Sequence, residues 1–295
     1  MKHARGRRLA EVSLALVAAS ACLATGQGQT SNDTPAQPGA VAATLELPSS
    51  AAAQIQHAVD THDYLTAEKL LLAEIARDPK SPHAAQLLAY TGNVYFLNQD
   101  YMGAAIAWKK SQAIAPLDPK LRFSLAMAYI RLNHSDWARN ELESLAKLDG
   151  KDALLPYWLG RMDYDGHEYN GAIRHFQKAI ELDRSTEHPS PWPFLNLAIT
   201  EQFLGQAQDA ETNLREALRL DPEFTKAHFQ LGTVLEDEGR LKEALVELRE
   251  AARLDATYPE PHMAMARINH KLGNETEARD EVQAYLRLRP HATPQ

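Results

Sequence analysis

Seven alanines recur along the chain at intervals of 34 to 38 residues, and this period constrains the fold more than any local motif does. A fixed period of this length is typical of stacked helical-repeat proteins, in which each repeat packs on its neighbours. Four residues after each alanine comes a large apolar residue, and twelve residues before it comes glycine or alanine in every repeat but the first. The alanines are Ala67, Ala104, Ala138, Ala172, Ala210, Ala244 and Ala278.

These spacings predict two amphipathic helices in each repeat, because apolar residues recur three and four apart within both halves. The small residues let two helix axes approach closely, and the large residue fills the space beside the contact. Between the halves lie residues that suit the left-handed end of a helix. The residues predicted to end the first helix are Asn133, Gly166, Gly205, Gly239 and Gly273.

The strings Leu159-Gly160…Ala172…Phe176 and Gly92…Tyr95…Ala104…Trp108 resemble the motif of the tetratricopeptide repeat family. The resemblance implies an all-α fold, a right-handed superhelical solenoid of seven helix-turn-helix repeats with about 14 antiparallel helices. The repeats are placed at 48–81, 85–118, 119–152, 153–186, 191–224, 225–258 and 259–292, with 293–295 as a tail.

Two insertions interrupt the predicted register, at 82–84 and at 187–190. Pro191 and Pro193 follow the second insertion, and prolines at such a point cannot continue a helix. The segment 187–193 is interpreted either as a bend that divides the solenoid into a four-repeat and a three-repeat lobe, or as a longer loop without further consequence.

The N-terminal segment 1–26 has the pattern of an export signal, with basic residues followed by a short apolar run. That run is too short to span a bilayer as a helix. Residues 27–47 are rich in Gly, Gln, Thr, Pro and Ala and are predicted to form a flexible leader. We therefore expect an exported protein that is periplasmic, secreted or associated with the outer membrane.

Cys22 is the only cysteine, so no disulfide can form within one chain. It follows Ala19-Ser20-Ala21, a string similar to a bacterial lipobox, in which the cysteine is lipidated. Lipidation of Cys22 would hold the protein at a membrane surface. The alternative is that Cys22 is a small apolar residue inside a signal that is cleaved and lost.

Composition and motifs argue against a nucleic-acid-binding protein and against an enzyme. The formal net charge is −8, which leaves no basic patch to neutralise phosphates. The chain has no phosphate-binding glycine-rich loop, no His-Glu-x-x-His and no Gly-x-Ser-x-Gly. We therefore predict no catalytic residues, no cofactor and no resident metal.

One cluster supports a hypothesis of a different class. His57, Asp60, His62 and Asp63 could bring nitrogen and oxygen ligands together at one helix end, as in a metal-binding protein or a hydrolase. Their spacing matches no familiar ligand set, and a polar turn in the first repeat is the other interpretation. Elsewhere, His228 and His262 share one repeat position, which suggests packing.

The family resemblance implies that the first helix of each repeat lines a concave groove. We predict a non-enzymatic scaffold or adaptor of the cell envelope that binds an extended or helical segment of a protein partner in this groove. The alternative is a membrane-anchored lipoprotein assembly factor, of the pilus or secretion accessory type. The predicted groove residues are Phe96, Phe123, Met127, Tyr157, Arg161, Tyr164, Trp192 and Phe229.

Overall fold

The computed structural model describes residues 49–289, which contain fourteen α-helices and no strand. The helices are α1 (Ser49–Asp60), α2 (Tyr64–Ile75), α3 (Pro82–Leu97), α4 (Tyr101–Ile114), α5 (Pro119–Arg131), α6 (Ser135–Leu148), α7 (Leu154–Asp165), α8 (Tyr169–Asp183), α9 (Trp192–Phe203), α10 (Ala207–Leu220), α11 (Thr225–Asp237), α12 (Leu241–Leu254), α13 (Glu260–Lys271) and α14 (Glu275–Leu288). Within this part of the chain, no helix combines the length and the hydropathy needed to cross a bilayer.

The described residues form two compact units, which are treated separately below. Unit 1 comprises residues 49–145 and unit 2 comprises residues 146–289. In both units each odd-numbered helix packs on the even-numbered helix that follows it, and successive pairs stack. The predicted all-α repeat solenoid is confirmed. The predictions for residues 1–48, including Cys22, and for the tail 293–295 lie outside the described residues.

The repeating alanines are buried between the two helices of each pair. Six of them are 0% exposed and Ala278 is 7% exposed. The large residue four positions later, such as Trp108 or Phe176, is also buried in the first six repeats, and Val282 of the last repeat is half-buried. Small and large residues therefore interlock along each stack, which gives every pair the same helix–helix contact.

The turn between the two helices of each pair has one geometry throughout. The fifteenth residue of every repeat has positive φ, and the next residue donates its backbone N–H to the carbonyl five residues back. This hydrogen bond is the one that forms where an α-helix ends with a residue in the left-handed conformation. The seven left-handed residues are His62, Gln99, Asn133, His167, Gly205, Gly239 and Gly273.

Gly166 was predicted to be the left-handed residue of its repeat, and this is wrong. Its φ is −83°, and His167 has φ of 63° instead. The repeat register, rather than the presence of glycine, fixes which residue must turn, because the backbone N–H of Glu168 must reach the carbonyl of Asp163.

Residues 82–84, predicted to separate two repeats, form the first turn of α3. Ser81 caps this helix, since its hydroxyl accepts a hydrogen bond from the backbone N–H of Ala84 at 3.1 Å. Pro82 occupies the first helical position, where a missing N–H has no cost. A serine followed by proline therefore starts the helix earlier than the repeat register suggested.

Residues 184–191 connect α8 to α9 inside unit 2, Pro193 lies in the first turn of α9, and the two helices contact each other. Asp183 anchors this connection, because its carboxylate accepts hydrogen bonds from the Thr186 hydroxyl and from the backbone N–H of Ser190. The division into compact units falls after Leu145 and not at this loop. The structure therefore does not support a four-repeat and a three-repeat lobe.

The first helices of unit 2 form its inner side. Helices α7 and α9, α9 and α11, and α11 and α13 contact each other, and among the described residues no two successive second helices of unit 2 approach as closely. Closer spacing on one side curves a stack toward that side. We call the surface formed by α7, α9, α11 and α13 the inner face of unit 2.

Candidate functional site

Two predicted residues, Tyr157 and Trp192, and two unpredicted residues, Asn196 and Lys226, are joined on the inner face of unit 2. The amide of Asn196 on α9 donates to the Tyr157 hydroxyl on α7 at 3.3 Å and to the Trp192 carbonyl at 2.9 Å. The Lys226 ammonium on α11 lies 5.0 Å from the centroid of the Trp192 ring. Arg161 lies one turn from Tyr157, with its guanidinium 5.0 Å from the Trp158 ring.

The aromatic side chains of this group pack against buried aromatic residues of the core. Tyr157 packs on Phe176 with ring centroids 6.1 Å apart, and Trp192 packs edge-on against Phe224 at 4.9 Å. Both are half-buried, so each presents one edge to solvent. An aromatic side chain fixed in this way loses little conformational entropy when a partner binds, which is the usual property of an interface anchor.

Polar side chains continue the inner face from α9 to α13. Gln202 donates to the Asp237 carboxylate at 2.6 Å. Glu236, whose side chain is 4% exposed, receives two bonds from the Arg267 guanidinium and one from Lys271 at 2.6 Å. Burial alone would raise the pKa of Glu236, but the two cations lower it below its usual value. The negative charge of the buried Glu236 carboxylate is therefore balanced by the two cations.

Two further predicted residues of unit 2 lie apart from this group. Tyr164 packs edge-on against Tyr169 at 5.7 Å, and burial raises its pKa. Phe229 packs against Tyr258 at 5.3 Å. Both are half-buried in contacts between aromatic rings, as Tyr157 and Trp192 are, and their groove role stays a prediction.

The remaining predicted residues belong to unit 1. Phe96 packs on Tyr101 at 5.3 Å and on Trp108 at 5.8 Å. Phe123 on α5 is half-buried. Met127 is 6% exposed, so it fills the core and offers almost no surface to a partner. The spacing that predicted a groove position for Met127 also fits a residue between helices, and only packing distinguishes the two.

The His57–Asp63 cluster is the polar turn between α1 and α2. Asp60 accepts a hydrogen bond from Gln56 at 2.7 Å, and Asp63 caps α2 by accepting from the backbone N–H of Thr66. His62 is the left-handed residue of this turn. Within residues 49–289, no group of three or more His, Cys, Asp or Glu side chains is arranged to hold a metal ion.

A repeated contact between a basic side chain and a glutamate joins the two helices of three repeats, and the sequence analysis missed it. The residue at position 4 contacts a glutamate 19 residues later: Arg122 with Glu141 at 2.8 Å, His228 with Glu247 at 2.7 Å, and His262 with Glu281 at 2.7 Å. The signal was a basic residue at one repeat position with glutamate at a fixed distance. These histidines link helices, which agrees with the prediction that they are packing residues.

Burial alone would lower the pKa of His228, but its partners outweigh burial and raise it. Those partners are the Glu247 carboxylate, the Pro222 carbonyl at 3.0 Å and the nearby charge of Glu250. The protonated imidazole is therefore favoured in the folded protein.

Buried acids at one repeat position are a second feature that the sequence analysis missed. Position 11 is tyrosine in repeats two and three, at Tyr95 and Tyr129, but Asp163 and Glu201 in repeats four and five. Asp163 is 6% exposed and Glu201 is 5% exposed. The available signal was an acid at a position that holds a half-buried or buried tyrosine in the two preceding repeats.

The two acids have different partners on the second helix of their repeat, each 12 residues later. The Asp163 carboxylate contacts Nδ1 of His175 at 2.7 Å, whereas Glu201 accepts a hydrogen bond from the Asn213 amide at 2.7 Å. Burial raises the pKa of Glu201 to about 7, a rise that Asn213 opposes and that the charge of Asp209 increases.

Comparison with known proteins supports the fold seen here. Models of the tetratricopeptide repeat match residues 52–119 and 204–268. A curated relative, the small glutamine-rich tetratricopeptide repeat-containing protein 2 of Mycosarcoma maydis, is 35% identical over 81 residues. The match covers 28% of this chain and 22% of that protein, so the chain spans about a fifth of the relative's length.

Solved structures resemble the chain over longer ranges. A tetratricopeptide repeat protein from Parabacteroides merdae is 16% identical with a TM-score of 0.65, covering 82% of this chain and 93% of that one. The C-terminal part of a repeat-containing protein from Cytophaga hutchinsonii is 14% identical with a TM-score of 0.63, covering 81% and 95%. YrrB, described as having an unusual peptide-binding site, is 23% identical with a TM-score of 0.51, covering 64% and 95%. At these identities the likeness concerns the fold.

Stacked helix pairs with a uniform turn and an interlocking small–large contact define a helical-repeat protein. The matched models identify tetratricopeptide repeats at residues 52–119 and 204–268, and the solved structures share the fold over a longer range. Proteins of this class are in general non-enzymatic scaffolds for protein–protein interaction, and this chain has their architecture.

Proposed function

We propose that the inner face of unit 2 binds an extended or helical segment of another protein. The observation that carries this proposal is the connection of Tyr157, Asn196, Trp192 and Lys226 across three successive first helices. Aromatic residues and arginine are enriched at interface cores, and Arg161 lies beside this group. The fold resembles that of YrrB, a protein described as having an unusual peptide-binding site, and this likeness adds support.

The chemistry of the face favours a partner segment with both apolar and acidic side chains. Tyr157 and Trp192 offer rigid ring edges for apolar contact, while Lys226 and Arg161 place positive charge beside them. The two N–H groups of the Asn196 amide are bonded within the chain, and its carbonyl oxygen can accept a hydrogen bond from the backbone N–H of an extended peptide.

A displayed library of random peptides, selected on the purified full chain, tests this proposal. The Kd of selected peptides is then measured for the wild type and for Asn196→Ala. We expect Asn196→Ala to weaken binding by about tenfold, because a buried interface hydrogen bond contributes about 1–1.5 kcal/mol. Tyr157→Phe, which keeps the ring and removes only the hydroxyl, is expected to have a smaller effect.

Gln208→Ala is a matched control, since Gln208 is an exposed amide on the second helix α10. It is expected to leave the Kd unchanged. Selection of no peptide, or equal binding by wild type and Asn196→Ala while both remain folded, contradicts the proposal.

We also propose that the chain is exported and acts in the cell envelope, because residues 1–26 have the pattern of an export signal. The intact mass of protein purified from the cells that produce it tests this. A mature chain that begins after residue 26 supports the adaptor, whereas an acylated Cys22 at the N-terminus supports the lipoprotein assembly factor. A mass that includes residues 1–26 contradicts both.

A further inference from the structure

Glu201 differs from the other buried acids of unit 2 in the partner that it has. Within the described residues, Asp163 contacts a histidine and Glu236 contacts an arginine and a lysine. Glu201 has only the amide of Asn213, which binds one carboxylate oxygen. A buried carboxylate is ordinarily paired with a cation, because burial without one is costly.

Directly at Glu201, a cleft of about 460 Å³ opens between the second helices α8 and α10. Its volume is within the range of about 300–1,000 Å³ that is usual for ligand sites. Among the lining residues, Asp209 is the other titratable one, and α8 contributes Asn170, Ile173 and Gln177. Among residues 49–289, no lysine, arginine or histidine lines the cleft. Its lining therefore offers oxygen acceptors and negative charge to whatever enters.

Repeats four and five differ in the partner of their buried acid. Both have a buried acid at position 11, and both place its partner 12 residues later on the second helix. Repeat four has His175 there, which can supply a positive charge from within the chain. Repeat five has Asn213, which cannot, and it has the open cleft.

We infer that this cleft binds a cationic ammonium group, which pairs with the Glu201 carboxylate and lies near Asp209. The group is either a free small amine or the lysine side chain of a protein, and the two share the same recognition chemistry. The residues that line the cleft come mainly from the second helices α8 and α10, and none of them belongs to the proposed peptide site. This inference is therefore independent of the proposed peptide site.

The test titrates the full chain with Nα-acetyl-lysine N-methylamide and with n-butylammonium, monitored by backbone amide NMR shifts. The uncharged Nα-acetyl-norleucine N-methylamide is the control ligand. We expect both cations to shift the resonances of Asn213 and Thr212 and the control ligand to leave them unchanged. Binding should strengthen as pH rises from 6 to 8, because the Glu201 carboxylate then ionises more fully. Asp209 is the other titratable residue among those that line the cleft.

Three variants make the test specific. Glu201→Gln removes the charge at nearly constant shape, and we expect affinity to fall about ten- to hundredfold. Asn213→His copies the internal partner of repeat four and is expected to weaken binding too. Asp163→Asn removes a buried acid that already has its partner, and it should leave binding unchanged.

Two results would overturn the inference. One is the absence of any shift with either cation at tens of millimolar on the folded wild type. The other is equal binding by wild type and Glu201→Gln. If n-butylammonium binds as well as the lysine derivative, the site takes free amines; if only the lysine derivative binds, the site takes a protein side chain, and both results support a cation site.

Discussion

The indole of Trp108 lies directly against the Cα of Gly92, and a methyl group added at Gly92 would overlap the ring. Trp108 is 1% exposed, and its indole nitrogen donates a hydrogen bond to the Ala89 carbonyl at 3.0 Å. The largest side chain of the core thus fits only because the facing residue has no side chain. The same relationship recurs with smaller partners at Gly160 and Phe176 and at Gly232 and Leu248.

We predict that Gly92→Ala lowers the free energy of unfolding by about 1–3 kcal/mol, because a buried indole cannot move away without disturbing its hydrogen bond. Chemical denaturation monitored by tryptophan fluorescence and circular dichroism measures the change. Gly150→Ala is the matched control, since the nearest atom to the added methyl would be 3.8 Å away. A loss at Gly150 equal to that at Gly92 would show that overlap is not the cause.

The uniform left-handed turn gives a second prediction. Gln99 has φ of 61°, a conformation that a side chain disfavours, so Gln99→Gly should raise the free energy of unfolding by about 0.5–1 kcal/mol. Gly239→Ala, at the same position of a later repeat with φ of 76°, should lower it by about 1 kcal/mol. Thermal unfolding of both variants checks the signs, and a stabilising Gly239→Ala would refute the argument.

Glu201 makes stability depend on pH. Its pKa rises from 4.5 to about 7 on folding, so between these values the folded protein binds more protons than the unfolded one. Stability is therefore lost as pH rises through this window, by up to about 3 kcal/mol. Glu201→Gln should remove most of this loss, as measured by urea denaturation from pH 4.5 to 8. An unchanged slope in this variant contradicts the prediction.

His228 contributes with the same sign. Its folded pKa is raised, so its stabilisation is fully present below its ordinary value of 6.5 and is lost as pH rises through the folded value. Glu247→Gln removes the charged partner at 2.7 Å and should lower the pKa of His228, which NMR titration of its ring protons reports. Glu250→Gln, which removes only the nearby charge, should lower it less. A larger effect from Glu250→Gln would show that the direct hydrogen bond is not the main partner.

The sequence by itself determined the repeat, because a helix pair that must bury one stripe against its neighbour requires small and large residues at fixed intervals. The buried alanines and the small–large contact at Gly92 and Trp108 were all readable from that period. The start of α3 at Pro82 was not, because the Ser81 cap decides it, and the left-handed His167 was missed because the prediction followed Gly166 and not the register.

Only the tertiary structure decided which side chains face a partner and which face the core. Met127 and Trp192 were predicted alike, yet one is buried and the other lies on the inner face beside Asn196 and Lys226. The cleft beside Glu201 was likewise not readable from the sequence. The physical reason is that a period fixes which residues meet within a repeat, whereas burial and pairing depend on the side chains that neighbouring helices happen to supply.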